Sequence, residues 1–300
     1  MSTLIRTACL MIPHSRPHII ADDMLAVVRQ LETGLIAEGA ASTTLERQLA
    51  ARYGFADAVV VGSGCQALLL AMRLRGVKTG ARVALPTYVC PEVLGVIEEM
   101  GAEPVLADVR ENYMLDPADQ AFEGAPVDCL LIPSLFGMAT GIKPYVELSD
   151  SLIADWAQYA PEQPQKELSQ MPEVAIVSFE ATKMLTGGEG GAILVQDPEY
   201  AAALRSMKLL SASAFKLNLY PMSDLQAALV LSQLRKLDSF ISRRREISAR
   251  YDAFFMTLSQ VRCISSASPG TPFRYVLRLK GSVQSLDEVI SAFADHGVAA

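Results

Sequence analysis

The chain has 300 residues, of which 51% are hydrophobic, and its formal net charge at pH 7 is −7. This acidic balance argues against a nucleic-acid-binding surface, though not against a local pocket for an anion, and no apolar run is long enough to predict a membrane span. Five scattered cysteines without a C-x-x-C pair and three histidines near the chain ends argue against a metal centre and a Ser-His-Asp triad.

Two helices are predicted at the start of the chain. Asp22–Glu38 has an amphipathic pattern, with acidic residues at its beginning. In the second, Thr43–Tyr53, we expect Thr43 to be the N-cap, because Glu46 follows it at the spacing of a capping box.

Short apolar runs then alternate with helical patterns through the middle of the chain. Each run is too short for a helix and does not alternate with polar residues, as is typical of strands buried on both faces of a parallel sheet. The order of strands and helices predicts an α/β fold in which helices sandwich one mostly parallel, seven-stranded sheet. The predicted strands are Ala58–Val61, Val83–Leu85, Pro104–Ala107, Cys129–Pro133, Leu152–Ala154, Ala175–Phe179 and Ala192–Val195.

The C-terminal part predicts a long helix that begins at the capping pair Ser223 and Gln226 and runs toward Phe255. A strand over Phe273–Leu279 and a helix over Leu286–His296 follow, which is little for a second lobe. We expect this lobe to be cut short or to be completed by a partner. The predicted division is a large domain over residues 1–235 and a linking helix with a small lobe over residues 236–300.

The turn after the first strand, Gly62–Ala67, has the pattern G-x-G-x-x-A and opens a helix. Small residues let the backbone approach a phosphate, and the helix N-terminus supplies unpaired N–H groups. A dinucleotide site would also need a carboxylate at the end of the second strand, where the chain reads Leu85–Tyr88. The turn therefore favours the phosphate of another ligand, with a tight turn that binds nothing as the alternative.

Two charged residues follow later strands. Asp155 comes directly after an apolar run, a position typical of ligand crevices in α/β folds and equally of helix N-caps. Lys183 lies between a strand and the glycine-rich segment Gly187–Gly191, where an amine can hold a carbonyl compound as a Schiff base. A phosphate turn, an aspartate and a lysine in this order are the contacts that pyridoxal phosphate requires.

These motifs resemble those of the DegT/DnrJ/EryC1/StrS sugar aminotransferases, a family of pyridoxal-phosphate enzymes with the type I fold. The likeness runs from about residue 12 to 258. The matching segments are Ser63–Leu68 for S-G-T-x-A-L, Ala154–Gln158 for E-D-x-A-Q, Ser178–Lys183 with Gly188–Gly191 for S-F-x-x-x-K and G-E-G-G, and Met222–Ala228 for M-[ST]-[DE]-L-x-A-A.

The resemblance implies a role for each matching residue. Lys183 would be the Schiff-base lysine, Asp155 the partner of the pyridine nitrogen, and Gln158 a contact of the cofactor ring. The phosphate would be held by Gly64, Cys65 and Ser178. Cys90 stands where many members have an aromatic ring, so Tyr88 is the candidate for stacking, and Asn218 lies one position away from the asparagine that reaches the partner subunit's phosphate.

The resemblance also implies a function: transfer of an amino group from glutamate or glutamine to a keto sugar linked to a nucleotide. Members are usually homodimers with active sites at the subunit interface. No signal peptide pattern is present, so we expect a cytoplasmic enzyme. The alternatives are a sugar dehydratase or deoxygenase, whose members lack the lysine, a regulatory homologue without turnover, and a nicotinamide oxidoreductase that uses Gly62–Ala67.

Overall fold

The structure of the protein, a computed structural model, describes residues 11–124, 126–162, 168, 170–212, 215–264, 270–280 and 285–299. No helix among these residues has the length and apolar character needed to cross a membrane.

A seven-stranded sheet lies at the centre, in the order β1-β7-β6-β5-β4-β2-β3. All seven strands predicted from the apolar runs are confirmed, and the sheet is parallel except for β7, which runs antiparallel to both of its neighbours. The strands are β1 Asp57–Val61, β2 Arg82–Pro86, β3 Glu103–Ala107, β4 Cys129–Pro133, β5 Leu152–Asp155, β6 Val174–Ser178 and β7 Gly191–Val195.

Helices cover both faces of this sheet. They are α1 Ala21–Glu32, α2 Ala40–Tyr53, α3 Gly64–Leu74, α4 Pro91–Glu99, α5 Pro198–Lys208, α6 Asp224–Leu234, α7 Leu237–Phe255 and α8 Leu286–Asp295. In β1 the side chains alternate between two cores: Ala58 and Val60 pack with α2 and α6, whereas Val59 and Val61 pack with α3, α4 and α5. Burial on both faces explains why the strands other than the partly exposed edge strand β3 read as continuous apolar runs.

The second helix begins at Ala40 instead of at the expected Thr43, so the predicted N-cap is wrong. The Asp224 carboxylate accepts hydrogen bonds from the backbone N–H groups of Gly39 (2.9 Å), Ala41 (3.0 Å) and Ser42 (2.9 Å). A distant aspartate therefore caps α2, while the Thr43 hydroxyl, inside the helix, donates to the Gly39 carbonyl. The first helix also ends early, at Glu32.

The predicted long C-terminal helix is two helices, α6 and α7, which are separated at residues 235–236. The capping box of Ser223 and Gln226 is confirmed. The strand expected over Phe273–Leu279 forms only at β11, Leu277–Leu279, which pairs with β10, Val261–Cys263. It starts late because the backbone of Phe273 bonds to the Phe136 carbonyl instead of to a strand. A hairpin of β8 Leu209–Ala212 and β9 Phe215–Asn218 was not predicted.

Candidate functional site

The N-terminus of α3 lies tightly against the ends of β6 and β7. A Cβ on Gly64 would lie 2.9 Å from Cβ and 3.0 Å from Oγ of Ser178, and a Cβ on Gly191 would lie 2.5 Å from the Ser63 carbonyl oxygen. The Ser63 hydroxyl caps the helix by accepting from the N–H of Gln66. The first N–H groups of a helix have no partner within it, so those of Gly64 and Cys65 lie beside the Ser178 hydroxyl as a cradle for an anion.

Asp155 ends β5 and is buried, with 9% of its surface exposed. Its Oδ1 accepts a hydrogen bond from the N–H of Ala157 at 2.9 Å, which closes a turn. No α-helix begins there, so the N-cap alternative is wrong. Burial raises the pKa of the Asp155 carboxyl, against the opposing effects of the Ala157 N–H and of the positive charge of Lys183. This carboxylate is therefore suited to a cationic partner.

Lys183 lies in a compact turn directly after β6. Its backbone N–H donates to the Glu180 carbonyl at 2.9 Å, and the backbone N–H of Gly187 donates to the Phe179 carbonyl at 2.8 Å. The turn holds Lys183 half-buried at the same sheet edge as the end of β5 and the start of α3.

The Lys183 ammonium acts electrostatically on four groups from three different segments of the chain. Its Nζ also lies 5.9 Å from the centroid of the Phe273 ring. The groups whose pKa its charge lowers are the side chains of Asp155, Cys65, Cys90 and Glu92. The amine, the carboxylate and the helix N-terminus that the sequence singled out thus lie together in one site.

Gln158 supports a loop. Its Oε1 accepts a hydrogen bond from the N–H of Phe136 at 2.8 Å. Phe136 has a φ of 57°, in the region that favours glycine, and this bond helps to hold the strained backbone. The oxygen of the Gln158 side-chain amide is therefore already used in a hydrogen bond within the protein.

Tyr88 belongs to a group of three aromatic rings that the sequence did not indicate. Its ring centroid lies 4.9 Å from that of Tyr113 and 5.9 Å from that of Phe136. Tyr113 also has a positive φ, 63°, and the guanidinium of Arg278 lies 5.3 Å from its ring. Tyr88 is half exposed, so one side of its ring is available to a ligand.

The two cysteines near the site, Cys65 and Cys90, are both exposed. The Cys90 thiol donates to the Glu92 carboxylate at 2.6 Å. Partial burial and the nearby Glu92 carboxylate raise the pKa of both thiols, which disfavours reactive thiolates. Trp156 packs in the core, with the rings of Tyr53 and Phe55 around it.

The basic run at residues 243–245 of α7 has two exposed members and one that is half-buried. Arg243 pairs with Glu246, and Arg245 pairs with Glu162. Arg244 is half-buried and turns toward Phe273. The side chain of Asn218 lies outside the described residues, as does Ala300. Among the residues that the structure describes, no group of three or more His, Cys, Asp or Glu side chains could hold a metal ion.

Comparison with known proteins shows the family of the chain. The family model for the DegT/DnrJ/EryC1/StrS aminotransferase family matches residues 17–300. The chain is 30% identical, over 276 residues, to the spore coat polysaccharide biosynthesis protein SpsC of Bacillus subtilis (strain 168), covering 82% of this chain and 70% of SpsC.

Solved structures show the same fold. The PLP form of Spr1654 of Streptococcus pneumoniae, assigned as a sugar aminotransferase, superposes with a TM-score of 0.84 at 22% identity, covering 96% of this chain and 83% of that one. GDP-4-keto-6-deoxymannose-3-dehydratase with bound GDP-perosamine gives a TM-score of 0.84 at 17% identity, covering 95% and 84%. At these identities the likeness establishes the fold alone.

Proposed function

Because the chain belongs to the DegT/DnrJ/EryC1/StrS aminotransferase family, we propose that it transfers an amino group from glutamate or glutamine to a keto sugar linked to a nucleotide. The enzyme is a pyridoxal-phosphate-dependent aminotransferase. One observation supports the residue roles most strongly: the Lys183 amine, the buried Asp155 carboxylate and the cradle at Gly64 lie at one sheet edge.

The side chains of this edge fit the cofactor. The cradle at Gly64, Cys65 and Ser178 offers backbone N–H groups and a hydroxyl to a phosphate, and no Cβ obstructs it. Asp155 offers a buried negative charge to a protonated ring nitrogen, and Lys183 offers an amine to an aldehyde. When bound, pyridoxal phosphate supplies an electron sink that stabilises negative charge on the carbon next to the transferred nitrogen.

The chain's own residues then have distinct tasks. Lys183 would hold the cofactor and, when its amine is free, would move a proton at Nζ between the substrate carbon that carries the nitrogen and a carbon of the cofactor. Asp155 keeps a proton on the ring nitrogen, because a buried carboxylate is stabilised by a nearby positive charge. Gln158 acts through Phe136, whose loop forms part of the same site, and Tyr88 offers a ring face to a planar ligand.

The sugar acceptor is supported by the relatives. SpsC is a polysaccharide biosynthesis protein, and the dehydratase structure contains a GDP-linked sugar. The same fold therefore serves a rival chemistry, loss of water. Lys183 favours transamination, since the family resemblance implies that dehydratases and deoxygenases of this group lack that lysine.

We also propose the wider organisation of the enzyme. The family supports a homodimer in the cytoplasm with the active site at the subunit interface. The break between α6 and α7 supports a boundary between a large domain over residues 1–235 and a smaller part over residues 236–300.

Transfer of ¹⁵N from labelled glutamate and glutamine to a panel of nucleotide-linked keto sugars tests the proposal. We expect the wild type and the exposed-lysine control Lys143→Ala to form an amino sugar, and Lys183→Ala to lose at least about 10³-fold in rate, because the proton-transferring amine is absent. Product that has lost water without gaining nitrogen would support the dehydratase alternative. No product from any sugar, with the cofactor bound, would support the regulatory homologue.

A further inference from the structure

Three cationic side chains surround the buried ring of Phe273. The Lys183 Nζ lies 5.9 Å from the ring centroid, and the guanidinium carbons of Arg244 and Arg274 lie 5.7 Å and 4.4 Å from it. Phe273 itself is only 5% exposed. The proposed reactive amine and two arginines from distant parts of the chain thus share one aromatic neighbour.

The segment that carries Phe273 and Arg274 is fixed to the rest of the molecule by its backbone. The N–H of Phe273 donates to the Phe136 carbonyl at 2.9 Å, and the buried Thr271 hydroxyl donates to the Ala160 carbonyl at 2.9 Å. Gly137 permits this contact, because a Cβ there would lie 1.8 Å from the Thr271 oxygen. The backbone that carries Arg274 is therefore fixed independently of any ligand.

Arg244 contacts the same Phe273 residue from helix α7. It projects from α7 and donates from Nη1 to the Phe273 carbonyl at 2.9 Å. Among the described residues, no carboxylate lies within ion-pair distance of Arg244, although Arg243 and Arg245 on the same helix each have one. Of these three arginines, Arg244 is thus the one without a carboxylate partner in the described part of the chain.

Charges of both signs act on the two arginines. Glu180 is the carboxylate that acts on Arg274, and it also accepts hydrogen bonds from the N–H (2.9 Å) and hydroxyl (2.5 Å) of Thr182. Burial lowers the pKa of the Arg244 guanidinium, and the nearby Arg274 cation lowers it further. Two half-buried cations that repel each other are stabilised by a bound anion, and the planar guanidinium suits the oxygens of carboxylates and phosphates.

We propose that Arg244 and Arg274 form a binding site for an anionic oxygen group of a substrate, a carboxylate or a phosphate, next to the Lys183 amine. The inference rests on the proposed function in taking Lys183 as the reacting amine. The two sources of such a group are the amino donor, which brings a carboxylate, and the sugar nucleotide, which brings a diphosphate.

Titration calorimetry on the cofactor-loaded protein tests the site without turnover. Glutarate serves as an unreactive dicarboxylate and uridine diphosphate as the phosphate probe. We expect Arg244→Gln and Arg274→Gln each to weaken one of the two probes by about ten-fold or more, because a charge-assisted hydrogen bond is lost. The exposed control Arg243→Gln should change either affinity by less than about two-fold. The weakened probe identifies the source: glutarate the donor, uridine diphosphate the sugar nucleotide.

Other results of this titration would contradict the proposed anion site. Wild-type protein that binds neither probe, or glutamine variants that bind both as tightly as Arg243→Gln does, overturn the site. Arg244→Lys and Arg274→Lys replace any glutamine variant that fails to fold, and a bidentate site should still weaken measurably because lysine cannot reproduce the fork. If the variants weaken a probe while Lys183 proves not to carry the cofactor, the anion site stands and the proposed function fails.

Discussion

Asp155 is a charge that the fold itself does not need. Among the described residues, the hydrogen bond that it accepts, from the Ala157 N–H, could be accepted equally well by an asparagine oxygen. We therefore expect cofactor-free Asp155→Asn to be more stable than the wild type at pH 7 by about 1 kcal/mol, since replacing a buried charge is often stabilising. Cofactor affinity and transfer should fall, because the ring nitrogen loses its anionic partner.

The pH dependence of this difference has a defined sign. Burial raises the pKa of the folded Asp155 carboxyl above its unfolded value, so its ionised form destabilises the fold at neutral pH. The gain in stability from Asp155→Asn should shrink as the pH falls through the pKa of Asp155 in the folded protein, and it should vanish below the pKa of Asp155 in the unfolded chain. Urea unfolding across this range measures it. The exposed control Asp295→Asn should stay within about 0.5 kcal/mol of the wild type, and an Asp155→Asn protein less stable at pH 7 would contradict the account.

At this scale the sequence predicts the residues that lie at strand ends and misses those brought in by long-range packing. Asp155, Lys183 and Gly64 each follow a buried strand, and parallel strands place such residues at one edge. Phe136 and Arg274 meet only because the chain around residue 272 crosses the loop around residue 137, which no local pattern encodes. The basic run at 243–245 was visible, but which arginine turns inward depends on where Phe273 lies.

At the scale of the elements, the close packing of residues 270–274 across residues 135–137 is the contact that we expect to matter most for stability. Gly137→Ala combines a φ of 85° with an overlap against the Thr271 oxygen, so we expect a loss of about 3 kcal/mol in the free energy of unfolding. Hydrogen exchange should show faster exchange of the Phe273 amide.

The matched control is Gly95→Ala. Gly95 lies in α4, is exposed, and would place its Cβ in open space, so alanine there should stabilise the protein by up to about 1 kcal/mol. Equal effects of the two substitutions would show that the crossing is not held as the structure has it.

Element boundaries mark a second limit of the sequence. All seven strands were predicted from their apolar runs, and in all but the partly exposed edge strand β3 such a run reflects burial on two faces. The start of α2 was not, because its cap is the Asp224 carboxylate, which lies 182 residues from Ser42. The Ser223–Gln226 capping box was predicted because both partners are local.

On the whole molecule, α1 presents an apolar stripe to solvent. Met24, Leu25, Val28 and Leu31 recur at helical spacing and are all more than 40% exposed, and Leu35 continues the stripe. We expect this stripe to lie in the interface of the proposed homodimer, since exposed apolar patches mark association sites.

Val28→Glu should therefore shift the protein from twice the mass of one chain to a single chain in sedimentation velocity, because a charge would be buried without a partner. Arg29→Gln changes the charge equally on the same helix at an exposed position and should leave the dimer intact. A dimer that persists in Val28→Glu would remove the stripe from the interface.

The central claim is that one lysine, at the sheet edge shared by Asp155 and the α3 N-terminus, holds the cofactor. Borohydride reduction of the pyridoxal-phosphate-loaded protein, followed by peptide mass spectrometry, tests it directly. The account predicts a single modified residue, Lys183, in the wild type and in Lys143→Ala, and no modified residue in Lys183→Ala. Cofactor fixed on another lysine of the wild type, or on none, would contradict it.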